Sequence, residues 1–317
     1  MEGNTTNSTE RSCGLSEMPA RPFFISVYTL ICLASLVLNT ITIYVYFCKV
    51  TTKSSITFYL KNLAVADMFV CLCLILRIIK YAVSSEEVQR IYCNFGAPAA
   101  YLNMYSSILF MGYIAVNRYL KIVRPLEAHI IQTVQSTRNI CITTWAILLA
   151  VNCVYIVVFA STPNVDSRSP DGGFDCDIYH NNLLNMIYLI MQILCFVIFL
   201  LVLVSLILLY WWNVRRLQQA QRAAPVQSDS TKLSKSNRNM KVLVGVFFVC
   251  FVPYHLVRLP YVFIKPLLSD CTAVQTFYIL KELTVVLAVL NASLDPLIYF
   301  VFCKAFRSHL NICWKCS

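Results

Sequence analysis

Seven stretches of about 20 or more predominantly apolar residues recur along the chain, at about 24–48, 56–82, 90–122, 138–160, 182–214, 237–264 and 273–302. Each is long enough to cross a hydrocarbon core of about 30 Å. Lipid offers backbone amides no partner, so spanning segments must be helices or strands of a closed barrel. Barrel strands alternate in polarity over about ten residues, and these runs are too long and too continuously apolar for that. The expected fold is an all-α membrane protein, a seven-transmembrane helix bundle. It divides into a tail (1–23), the helical domain (24–302) and a final segment (303–317) with a short amphipathic helix.

Charge sets the orientation. Only 13% of the 317 residues are charged, against about 25% in soluble domains. A net charge of +11 could serve a nucleic-acid binder, but its distribution excludes that partner. Most of the Lys and Arg fall beside one alternate set of connections, including Lys49, Lys53, Lys121, Arg124, Arg138, Arg215, Arg216, Arg238, Lys241, Lys304 and Arg307. The acids Glu10, Glu17, Glu86, Asp171 and Asp175 fall on the other side. Basic short loops stay in the cytoplasm, so the amino terminus is expected outside the plasma membrane and the carboxyl terminus inside. Residues 1–22 lack a signal-peptide core, which leaves insertion to the first span. Asn4 and Asn7 open glycan acceptor triplets on the outer tail. Of fifteen cysteines, Cys13, Cys93, Cys176 and Cys271 fall at outer positions, where oxidising surroundings favour disulfides. The expected pairs are Cys93–Cys176 and Cys13–Cys271. Cys313 and Cys316, in a basic-aromatic tail, are candidates for palmitoylation.

Charges inside the spans are costly, so their default reading is a functional site facing a cavity. At about 1.5 Å per residue, Arg77, Arg258 and Lys281 all lie roughly 25 Å from the inner ends of their helices. Three cations at one level suit an anionic ligand, with a structural salt bridge to Glu282 or to Asp175 and Asp177 as the competing role. Arg258 offers a planar fork and Lys281 a mobile point charge for phosphate oxygens. His255 lies one turn below Arg258; it can join the site or make a core hydrogen bond. Tyr101 and Tyr105, one turn apart, can stack on a base or merely pack an interface. Glu282 can neutralise a cation when no ligand is bound; as it points about 100° away from Lys281, its expected partner is a neighbouring helix.

Deeper in the bundle, Asp67, Asn103, Ser107, Asn291 and Asp295 read either as an interhelical hydrogen-bond network or as a hard-oxygen cage for a cation such as sodium, an allosteric modulator rather than a required cofactor. Near the inner face, Asn117-Arg118-Tyr119 precedes a basic stretch, and Phe247, Phe251 and Pro253, with Pro296 and Tyr299, mark two helices kinked by proline. Kinked helices beside a basic surface make a bistable element.

Together Asn39, Leu63 with Asp67, Cys93, Asn117-Arg118-Tyr119, Trp145, Phe251-Val252-Pro253 and Asp295-Pro296-Leu297-Ile298-Tyr299 resemble the motifs of rhodopsin-like (class A) G-protein-coupled receptors. The run from Phe251 to Tyr261, and Lys281-Glu282 with Leu290-Asn291-Ala292-Ser293-Leu294-Asp295-Pro296, resemble the ADP- and UDP-sugar-sensing purinergic group. The resemblance implies phosphate-binding roles for His255, Arg258 and Lys281, pocket roles for Tyr101, Tyr105 and Tyr261, a heterotrimeric G protein of the Gi type as partner, and arrestin as a further one. The outer Cys13–Cys271 pair fits it too. The chain departs from the pattern at Asn117, where an acid usually locks the neighbouring Arg, so raised basal activity is expected. Leu206 replaces a usual Tyr. Receptors for platelet-activating factor and lysophospholipids are related, and a phospholipid mediator is the alternative ligand. A transporter is a remote alternative because repeat symmetry and broken helices are absent from the sequence. No nucleophile–base pair or metal motif suggests an enzyme.

Overall fold

The computed structural model describes residues 20–50, 54–83, 85–123, 132–161, 182–223, 228–268, 270–302 and 306. Helix α1 (Arg21–Tyr44) continues through a π-helical turn (Val45–Lys49). After α2 (Ser55–Ala82), the short α3 (Glu86–Ile91) runs through a second π turn (Tyr92–Gly96) into α4 (Ala97–Val123). Then follow α5 (Val134–Ser161), α6 (Asn182–Ala223), α7 (Ser228–Ile264) with a 3-10 turn (Lys265–Leu267), and α8 (Cys271–Phe302). Seven helical stretches are long and apolar enough to cross a membrane, and the described residues contain no strand. Both helices extend past their apolar runs: α6 continues to Ala223 and α7 begins at Ser228. Asn4, Asn7, Cys13, Cys176, Cys313 and Cys316, and all of the terminal segment except Phe306, lie outside the described residues.

Local chemistry starts the helices. Ser54 caps α2 by accepting from the Thr57 amide, and the Asp270 carboxylate accepts from the Thr272 and Ala273 amides at the start of α8. Both serve N–H groups that the first turn cannot satisfy itself. Prolines 253 and 260 lie inside α7, and Pro296 inside α8. A proline withholds the hydrogen bond to the carbonyl four residues earlier. For Pro296 that carbonyl is Ala292, and Asn39 of α1 supplies the missing donor: its Nδ2 lies 2.8 Å from Ala292 O and 3.0 Å from Ser35 O. Beside it Ser35 and Ser293 share a 2.6 Å hydroxyl contact. These bonds sew α1 to α8 across a region where lipid gives no alternative partner.

One half of the bundle is solid. Phe110, Met111, Ile114, Leu243, Phe247, Ile298 and Tyr299 are completely buried there. Gly112 lets α4 and α6 approach closely, since a Cβ there would come within 3.2 Å of Val202. Trp145 Nε1 donates to Asn62 Oδ1 at 2.9 Å and fixes α5 on α2. The remaining face of α5 is apolar and exposed at Ile142, Ile147, Val154 and Val157. That face is intolerable in water but ordinary against lipid. The other half, where α1 and α8 begin and α2 ends, is hollow and tyrosine-rich. Replacing Asn39 with Ala leaves the Ala292 carbonyl unpaired; the expected loss is about 1–2 kcal/mol, read as a lower thermal midpoint of the reconstituted protein.

Candidate functional site

The hollow half holds a cavity. Arg77 and Lys80 of α2, Tyr92, Tyr101 of α4, Arg258 of α7, and Lys281 and Glu282 of α8 all line it. Three cations expected at one level from three helices thus share one chamber. All four cations are less than 10% exposed, so each charge must be met by protein or ligand rather than by bulk water.

Tyrosines meet part of that need. The Arg258 guanidinium lies 5.8, 5.9 and 6.0 Å from the ring centres of Tyr101, Tyr188 and Tyr261, and donates to the Tyr188 hydroxyl at 2.6 Å. Lys281 sits over Tyr278 at 4.4 Å and Tyr261 at 4.9 Å. Arg77 lies over Tyr28 and Tyr92 and donates to the Tyr92 hydroxyl at 2.6 Å. The negative ring faces stabilise cations without cancelling their charge. Among the described lining residues, the carboxylate that cancels charge is Glu282. It accepts from Arg77, from the Tyr81 hydroxyl at 2.7 Å and from Lys281 at 3.2 Å. The expectation that Glu282 turns away from Lys281 is corrected here: successive helical residues diverge by about 100°, yet the four-carbon lysine stem bends back to reach it.

Three of the expected ligand contacts stand behind the wall. His255, Tyr105 and Tyr261 are almost fully buried and do not line the cavity. His255 stacks on Phe199 with ring centres 3.8 Å apart and planes 3° apart. Its Nε2 meets the Tyr105 hydroxyl at 3.0 Å and its Nδ1 the Phe251 carbonyl at 2.8 Å. Its role here is the core hydrogen bond. Tyr261 backs the cations as a shared ring. Sequence reading missed Lys80, Tyr92, Tyr188, Tyr254 and Tyr278; for Lys80 the signal was a basic residue in the last turn of α2, three positions after Arg77.

Below the cations the walls turn apolar, with Val70, Leu74, Met104, Val285 and Val289, and the floor carries Phe251, Ser107 and Asn291. Beneath that floor the Tyr299 hydroxyl donates to Asp67 Oδ2 at 2.8 Å and Asn291 Nδ2 to Asp295 Oδ2 at 3.1 Å. The carboxyl groups of Asp67 and Asp295 lie within hydrogen-bonding reach of each other. One oxygen each of Asp67, Asp295, Asn103 and Asn291, and the Ser107 hydroxyl, are buried without a hydrogen bond. Such a set of oxygens fits a hard cation, and two carboxylates so close need a cation or a shared proton between them.

At the solid end, Arg118 Nη2 donates to the Phe302 carbonyl at 2.9 Å and its guanidinium lies 4.8 Å from that ring. Asn117 is fully buried and neither of its amide atoms makes a hydrogen bond. Tyr119 lies against Trp212. Phe247 stands between the cavity floor and α6, edge-on to Phe251 at 5.3 Å and stacked on Phe199. Cys93 and Cys271 both form disulfides.

Residues 38–299 match the model of the 7 transmembrane receptor (rhodopsin family). The chain is 32% identical to G-protein coupled receptor 87 of Mus musculus over 97% of its own length and 85% of that protein's. It is 29% identical to purinoceptor 14 of Bos taurus (98% and 90% covered) and 28% identical to purinoceptor 13 of Homo sapiens (96% and 84%).

Glu282→Gln removes the carboxylate that Arg77 and Lys281 share. The ligand-free protein is expected to lose about 3–5 kcal/mol, and the double variant with Arg77→Met to recover part of it. A Glu282→Gln protein with the wild-type thermal midpoint would contradict this.

Proposed function

The chain belongs to the rhodopsin family of seven-transmembrane receptors, and from that premise we propose that it answers a phosphate-bearing anion from outside the cell, a nucleotide or nucleotide sugar first. Family membership makes it a signalling receptor of the plasma membrane and not an enzyme, and implies a G protein as partner. In this reading the amino terminus and the cation-lined cavity face outward. Arg118 and the end of α8 face the cytoplasm, where a Gi-type heterotrimer and then arrestin bind. The observation that carries the reading is the convergence of Arg77, Arg258 and Lys281 on one buried chamber whose described lining holds a single carboxylate, Glu282. Two similar proteins bear the name purinoceptor, which favours a nucleotide. Disulfides Cys93–Cys176 and Cys13–Cys271, glycans on Asn4 and Asn7, and acyl chains on Cys313 and Cys316 complete the proposed receptor.

A second reading has its own support. The apolar walls below the cations suit an acyl chain, so a lysophospholipid can place its phosphate among the same cations. Cells expressing the chain with a promiscuous G-protein reporter distinguish the two when nucleotides, nucleotide sugars and phospholipids are applied in parallel. A nucleotide response that weakens about 30-fold or more in both Arg258→Ala and Lys281→Ala supports the first reading. A phospholipid response with the same dependence selects the second. A response indifferent to both substitutions rules out this chamber as the site.

Sodium belongs to the same proposal. Asp67, Asp295, Asn291, Asn103 and Ser107 would hold it, and the bound ion supplies positive charge between two carboxylates that otherwise repel. The ligand-free protein is expected to melt higher in sodium chloride than in choline chloride, and Asp67→Asn to abolish the difference. Equal midpoints in the wild type would leave a shared proton as the bridge.

A further inference from the structure

Helix α6 continues past its apolar run to Ala223, and its outward face changes chemistry in a fixed order. Leu206, Leu209 and Asn213 are buried against the bundle. At about 100° per residue, Leu201, Val204, Leu208, Trp211, Arg215 and Arg222 fall together on the opposite side, and all of them are exposed. The stripe is apolar, then aromatic, then basic. A helix leaving a bilayer meets acyl chains, headgroups and water in that order. The aromatic level is that of Arg118, because Trp212 lies against Tyr119 with ring centres 5.6 Å apart. In the orientation given above, this is the cytoplasmic border.

The basic end of the stripe is built more closely than a solvated helix extension requires. The Arg215 guanidinium lies over the Trp211 ring at 3.7 Å, nearer than the 4.4 to 6.0 Å at which the chamber's cations meet their rings. A stacked guanidinium is held in place while its edge stays free to donate as a fork, the geometry that suits a phosphate. Neither Arg215 nor Arg222 makes a hydrogen bond or ion pair with a described residue. Arg222 stands about 10 Å further along the helix axis, and the exposed amides of Gln218 and Gln219 lie between the two. From Asn182 to Ala223 the sequence contains no Asp or Glu, so no acid on this helix competes for the arginines.

We propose that this stripe is a binding site for a phosphoinositide of the cytoplasmic leaflet. The acyl chain lies along Leu201, Val204 and Leu208, and the diester phosphate meets Arg215 on its Trp211 platform. Gln218 and Gln219 face the inositol hydroxyls, and a ring phosphate reaches Arg222. The anionic lipids of that leaflet attract basic groups beside a span, but a lipid whose charge lies only at the diester level leaves Arg222 unmet. The proposal uses the orientation of the receptor reading and not its ligand.

The test uses the full chain in phosphatidylcholine nanodiscs, with short-chain phosphatidylinositol bisphosphate and short-chain phosphatidylinositol as probes. Apparent affinity is read from the dependence of the thermal midpoint on probe concentration. Wild type should bind the bisphosphate at least about tenfold more tightly. Arg222→Gln should cut that preference to about threefold or less and leave phosphatidylinositol within about threefold of wild type. Arg215→Gln should weaken both lipids by about fivefold, and so should Trp211→Leu, which keeps every charge but removes the ring beneath Arg215. Arg138→Gln takes one charge from the exposed start of α5 and should leave both affinities within about twofold. Absence of the preference in wild type, its survival in Arg222→Gln, or wild-type affinity in Trp211→Leu overturns the proposal. Equal losses in Arg138→Gln and Arg215→Gln overturn it too, by showing a diffuse positive field in place of a site. Orientation is read separately, because nanodisc affinities do not depend on it. An epitope inserted after Ala223 should stain only in permeabilised cells; staining of intact cells overturns the cytoplasmic placement and this inference with it.

Discussion

Glu282 is the carboxylate on which the hollow half of the bundle depends. It joins α2 to α8 through Arg77 and Tyr81 and holds Lys281 of its own helix. Without it the described lining of the chamber is purely cationic. Two unit charges about 4 Å apart repel by about 4 kcal/mol at the effective dielectric of a protein site. A chamber built that way would be forced open or flooded. With it, Arg77 and Lys281 have a counter-charge, and tyrosine faces stabilise the cations around the cavity. The bundle can therefore hold a cavity charged for an anion and still close around it.

The chamber's floor is also the roof of the solid half. Phe251 lines the cavity and touches Phe247, which stacks on Phe199, which stacks on His255. Asn291 lines it too and donates to Asp295, which faces Asp67, which accepts from Tyr299. Both sets of contacts begin where a ligand ends and continue below it. A ligand shifts a conformational balance only by its differential affinity for the two states. In the proposed reading the groups that carry that difference are Arg258 on α7 and Lys281 on α8, helices that each carry a proline below the cation that lines the cavity.

Much of this was legible in the sequence, and the misses have physical causes. The spans were legible because apolar length reads membrane thickness directly. The level shared by Arg77, Arg258 and Lys281 followed from helical rise alone. Periodicity places a residue on a helix face but not on one side or the other of a helix-to-helix seam. That is why His255 and Tyr105 were grouped with the ligand contacts when they face each other behind the wall. Lys80 escaped notice because a lysine at a helix end reads as a residue reaching for water. Only the third dimension brings the Tyr92 and Tyr81 rings over it. The partner of Glu282 was sought on a neighbouring helix, and Arg77 is there; the bend of the Lys281 stem is a rotamer choice that sequence spacing does not contain.

Asn117 takes on a different meaning once Arg118 is located. An acid at this position would compete for the guanidinium, whereas the amide of Asn117 makes no hydrogen bond at all. Arg118 reaches the carbonyl of Phe302 at the described end of α8. A cation there is also favoured by the helix dipole. The same helix carries Lys281 in the ligand chamber, and Asn39 replaces the hydrogen bond that Pro296 withholds between the two. So the contact that closes the solid end and a cation that lines the hollow end belong to one helix, interrupted at one mended point. A ligand that draws on Lys281 acts on the helix that supplies Arg118 an acceptor.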